Sequence, residues 1–133
     1  MPLRFHTLAL AALLLNGCAR SETRLGLITS FGEYPSPAGN FVLKVEKKEA
    51  SLVVGTVLDS ARSVVFSEEI GSNAMRWCFY WSSDGTLWAY SSDSGYLKQI
   101  QPKGSARSIQ KGERLPWVVF DFLPSSLQGM YSK

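Results

Sequence analysis

The chain has 133 residues, with 14 Lys and Arg against 11 Asp and Glu and a formal net charge of +3. So mild an imbalance gives no ground for expecting nucleic acid as a partner. An aromatic content of 12% places the chain among globular rather than disordered proteins.

The first element is a leader. Arg4 is the one fixed charge before an unbroken apolar run, Leu8–Leu15, and Asn16-Gly17-Cys18 restores polarity. A basic start, an apolar run and small residues, in that order, make a secretory signal peptide. A run this short cannot span a bilayer, which needs about 20 residues. Leu15-Asn16-Gly17-Cys18 resembles the lipobox of bacterial lipoprotein precursors; Leu15 and Gly17 match the usual pattern and Asn16 departs from it. The resemblance covers residues 1–18. It implies cleavage before Cys18, diacylation of the Cys18 sulfur and frequent acylation of the new amine, so that the membrane is a partner through Cys18. In a Gram-negative host, Ala19 rather than Asp after the cysteine implies sorting to the outer membrane, facing the periplasm. Each buried methylene contributes about 0.8 kcal/mol, and one acyl chain binds only marginally, so two or three make the tether durable.

Loss of 17 residues from the 133 leaves 116, enough for one domain, with 13 basic residues because Arg4 is gone. The only histidine, His6, leaves with the leader. Ser-His-Asp and Cys-His catalysis and His-ligated zinc are then excluded. With Cys18 given to lipid, Cys78 has no disulfide partner. No cofactor motif is present.

Residues 18–39 read as a lipid-anchored tether, polar over Ala19–Arg24 and punctuated by Pro35, Pro37 and Gly39. Leu25–Thr29 within it is either a short strand or a segment docked on the domain. The domain is expected over 40–133. Phe41, Leu43 and Val45 alternate with Lys44 and Glu46, the period of a half-buried strand. Ser51–Leu58 is β-branched and apolar on both faces, as a central strand is, and Ser63–Ser67 is a third strand. Met75–Trp81, Thr86–Tyr90 and Tyr96–Gln101 form an aromatic meander. Asp84-Gly85 supplies the positive φ of a tight turn, and Asp93 with Gly95 suits a longer one. Residues 102–114 are expected as a loop, Leu115–Phe122 as a last strand, and Ser125–Tyr131 as one helical turn capped by Ser125. About seven short strands at this spacing indicate an all-β antiparallel sandwich or small barrel.

Five basic residues, Lys98, Lys103, Arg107, Lys111 and Arg114, face a single acid, Glu113, in one stretch. They form the best candidate for binding phosphate groups of lipids, an anionic envelope polymer or an acidic protein partner, against the plainer reading of a solvated loop. Aromatic residues fall on both faces of the meander, so Trp81, Trp88 and Tyr90 either line a stacking surface or are covered on both sides. Asp84 and Asp93 occupy near-repeated Ser-Ser-Asp turns, where turn chemistry wants Asp, and lie about 15–20 Å apart if the strand between them is extended. Cys78 reads as a buried, inert thiol; Arg76, on the same face, is the one feature that favours reactivity. Ser108-Ile109-Gln110-Lys111 has the Ser-x-x-Lys spacing of penicillin-recognising enzymes but falls in a loop and reads as chance.

The leading expectation is therefore a non-enzymatic envelope lipoprotein that binds a protein or an envelope polymer, in an inhibitor, immunity or assembly role. A structural accessory subunit of an envelope complex is the first alternative. A small hydrolase is the second; it requires Asp84, Asp93, Asp121 or Glu113 to converge in a cleft.

Overall fold

The computed structural model describes residues 26–93 and 95–133. The leader, Cys18 and the first part of the tether lie outside the described residues. Nine strands are present among those described, β1 Leu27–Ile28, β2 Gly32–Pro35, β3 Phe41–Lys48, β4 Leu52–Asp59, β5 Val64–Ser72, β6 Trp77–Trp81, β7 Leu87–Ser91, β8 Tyr96–Ile100 and β9 Ala106–Ser108. They make a four-stranded sheet, β2-β3-β4-β5, and a five-stranded sheet, β1-β6-β7-β8-β9, antiparallel throughout. The fold is an all-β sandwich.

Alternation builds the four-stranded sheet. Phe41, Leu43 and Val45 of β3 and Val53 and Val57 of β4 point inward, and Lys44 and Glu46 pair at 3.2 Å on the outer face. Across the interface Trp77, Phe79 and Trp81 of β6 meet them, with Leu87, Ala89 and Ile100. Gly55 sits where the sheets come closest. A Cβ there would stand 2.5 Å from the Phe79 ring, so the position is held by glycine for want of space.

The other face of the five-stranded sheet has its own core. Cys78, Trp88, Tyr90 and Leu97 pack against Ile109, Leu115, Val118, Val119 and Leu123. Val118 and Val119 belong to α1 Trp117–Phe122, which with α2 Ser125–Gln128 makes a helical layer; Leu115 and Leu123 flank α1, and Ile109 follows β9. The expected strand over Leu115–Phe122 is thus a helix preceded by a loop. Pro116 caps it, its carbonyl accepting from the Val119 and Phe120 N–H groups. The buried positions Leu115, Val118, Val119 and Leu123, with half-buried Phe122, follow the i, i+3, i+4, i+7, i+8 spacing of a helix face. That periodicity outweighed the β-branched character of Val118 and Val119. Ser125 makes no side-chain cap for α2, which starts on Pro124.

Two further expectations are corrected by backbone pairing. Leu27 and Ile28 pair with Tyr80 and Phe79, and Gly32–Pro35 pairs with Val45–Val42. The folded unit therefore takes in strands from Leu27 to Pro35 as well as the residues from Asn40 onward, because they complete an outer edge of each sheet. Within the expected loop 102–114, Ala106–Ser108 pairs with Lys98–Ile100 as β9.

Candidate functional site

Both faces of the aromatic meander are covered. Trp81 is 9% exposed, Trp88 8% and Tyr90 1%. Trp81 lies between the sheets and donates its indole N–H to the Tyr34 carbonyl at 3.0 Å. Trp88 and Tyr90 lie under the helical layer. None of the three lines a stacking surface: the four-stranded sheet covers Trp81, and the C-terminal segment covers Trp88 and Tyr90.

The basic stretch does not act as one patch. The Lys98 ammonium pairs with Glu68 of β5 at 2.6 Å. The Arg107 guanidinium grips Glu113 in a two-bond fork, Nη1 to Oε2 at 3.0 Å and Nη2 to Oε1 at 2.8 Å, and its Nε donates to Gln99. The Arg107 fork, with the Gln110 N–H, holds the Glu113 carboxyl below the usual range. Lys111 and Arg114 are exposed beside the C-terminus, where Arg114 bridges to Ser132. Lys103 lines a concave surface.

That surface is made by the loops at one end of the sandwich. A groove of about 630 Å³ is lined by Asn40 and Phe41 before and in β3, Asp59 and Ser60 at and after the end of β4, Val65 of β5, and Pro102-Lys103-Gly104 between β8 and β9. A second hollow of about 290 Å³ continues from it past Lys103 to Ser83-Asp84-Gly85. Asn40, Phe41, Pro102 and Lys103 line both, so they form one cleft with Lys103 at its middle. Its two acids are already used in turns. Asp59 Oδ1 accepts the Ala61 and Ser63 N–H groups at 3.0 and 2.9 Å. Asp84 Oδ1 accepts from the Ser82 hydroxyl and the Thr86 N–H, and these bonds hold its carboxyl below its ordinary value.

Beside this cleft an apolar row crosses the outer face of the four-stranded sheet. Pro35 stands opposite Val42, Val42 opposite Leu58, and Leu58 opposite Val64. One side chain comes from each strand; Val42 is half-buried and Leu58 buried at 7%, and the row ends at Val64, which is 61% exposed. Val65 follows at 40% and lines the cleft. β3 contributes only Val42 to the row, so cross-strand pairing was needed to assemble it.

The remaining carboxylate candidates and the thiol are each engaged or buried elsewhere. Asp84 and Asp93 stand beyond opposite ends of β7, and Asp93 accepts the Ser72 N–H at 2.9 Å. Glu113 is held by Arg107 and Asp121 by Lys133 at 3.6 Å. Cys78 is 1% exposed, and burial pushes its thiol up to about 12 against a smaller opposite pull from Arg76. Ser108 lies at the end of a strand rather than on a helix. No protein-family model, curated protein or solved structure matches the chain.

Proposed function

We propose that the protein is a lipid-anchored envelope module that binds another protein through the Lys103 cleft and the apolar row beside it, without catalysis. The anchor rests on the lipobox resemblance at Cys18, with the outer membrane facing the periplasm as its place in a Gram-negative host. The binding reading rests on one observation, the continuity of exposed Val64 and Val65, at the end of the apolar row, with a cleft of mixed charge. A polyanion would need several uncommitted cations in one surface, whereas Lys98 and Arg107 are paired and Lys103 stands between two aspartates. Apolar area rimmed by a few polar groups is the usual make-up of a protein interface.

The alternative of a structural accessory subunit draws support from β5, which is nine residues long and pairs on one side only. Irregular register near both ends, and Glu68 and Glu69 between them, blunt that edge against simple strand addition.

Two measurements test the proposal. Labelled fatty acid enters the wild-type chain and not Cys18→Ser; equal labelling of both ends the lipoprotein reading. The acylated chain, solubilised from envelopes, captures a partner that Val64→Asp with Lys103→Glu no longer holds. Retention of that partner by the double variant removes the cleft and row from the account.

A further inference from the structure

A second exposed surface lies away from the cleft, on the helical layer. Trp117, the first residue of α1, is 56% exposed, an unusual position for a tryptophan. It lines a hollow of about 220 Å³ with Leu27, Arg76, Val118, Asp121 and Phe122. The Arg76 guanidinium lies 4.2 Å above the Phe122 ring, so its stem covers apolar surface while its charge reaches outward. The one acid, Asp121, is partnered by Lys133.

Leu27 connects this surface to the anchor. It lines the hollow and opens β1. Cys18 precedes Gly26 by eight residues, a chain that spans at most about 29 Å when fully extended. A domain of this size has a radius of gyration of about 13 Å. The anchor thus keeps the domain within about one diameter of the lipid surface, with the tether starting inside the hollow. At such range a weak surface affinity becomes effectively intramolecular. Tryptophan and arginine are the side chains best suited to the headgroup region, the ring at the apolar boundary and the guanidinium among phosphates.

We infer that the Trp117–Arg76 surface rests on the phospholipid bilayer that holds the Cys18 acyl chains. The inference depends on the lipoprotein reading. It also gives the domain an orientation, with the helical layer toward the lipid and the outer face of the four-stranded sheet, which carries the apolar row, turned away from it.

The test uses the full acylated chain in vesicles of phosphatidylethanolamine and phosphatidylglycerol, with and without brominated acyl chains. Trp77, Trp81 and Trp88 are buried and report little. Brominated lipid lowers the wild-type tryptophan emission, and Trp117→Phe, which still floats with the vesicles, shows no such loss. Arg76→Glu keeps flotation and diminishes the loss. Equal loss in wild type and Trp117→Phe, or no loss in wild-type protein that floats, overturns the membrane contact and leaves the anchor standing. A wild-type chain that carries no acyl group and fails to float overturns the anchor and this inference together.

Discussion

The ring of Phe79 lies on the backbone of Gly55, so near that a Cβ there would stand 2.5 Å from Cζ and 2.8 Å from Cε1. Phe79 is fully buried and cannot swing outward. Gly55→Ala must therefore separate the sheets or force the ring off its rotamer. Overpacking of this kind costs about 1–3 kcal/mol. Chemical denaturation of the two forms should give a lower midpoint for Gly55→Ala, and an unchanged midpoint would mean that the sheets are not packed this closely.

Tyr90 carries its hydroxyl into the core beneath the helical layer, where no protein partner receives it among the described residues. A buried polar atom without a partner is a cost that an apolar replacement removes. Tyr90→Phe is expected to leave the melting temperature unchanged or raise it, by up to about 1 kcal/mol in stability. A marked drop would reveal a partner for the hydroxyl.

Cys78 behaves as a core residue. Its thiol rises from 9.0 to about 12 on folding, so the folded state favours the protonated form. That contribution is complete below about pH 9 and is lost as pH rises from there toward 12. Thiol reagents at pH 8 should find no reactive group in the folded, acylated chain and one after denaturation. Above pH 9 the stability of Cys78→Ala should fall less steeply than that of the wild type. Rapid labelling of folded protein would restore Cys78 as a chemical candidate.

Asp84 works the opposite way. Hydrogen bonds from Ser82 and Thr86 hold its carboxyl below 3.8, so its contribution is present above about pH 4 and disappears as pH falls through the folded value. The side chain is exposed, and its bonds are worth at most about 1 kcal/mol together. Asp84→Ala should melt lower at pH 7, and the gap should close below about pH 4. A gap that does not shrink at all as pH falls through the acid range would place the effect in the backbone of the turn instead.

Most of the sandwich was legible as strands because period two is a local signal. Phe41-Leu43-Val45 and the Asp84-Gly85 turn needed no tertiary information. The C-terminal helix was legible too, in the spacing of Leu115, Val118, Val119, Phe122 and Leu123, but the aromatic and β-branched run concealed it. The burial of Trp88 and Tyr90 followed from that same helix and could not be read before it. Pairing of Lys98 with Glu68, 30 residues apart in sequence, was not legible at all, since charge counting sees composition and not neighbours. The cleft is likewise a product of loops from four different connections, of which only Lys103 and Asp84 were singled out by their chemistry.

The proposed interface is tested most directly by a photo-crosslinking residue placed at Val64 in the full chain in intact bacterial cells, with Lys48, at the far end of β3, as the control position. The account predicts a discrete protein adduct from Val64, weakened by Lys103→Glu and absent from Lys48. Adducts of equal yield from both positions, or none from Val64 in acylated protein, would contradict it.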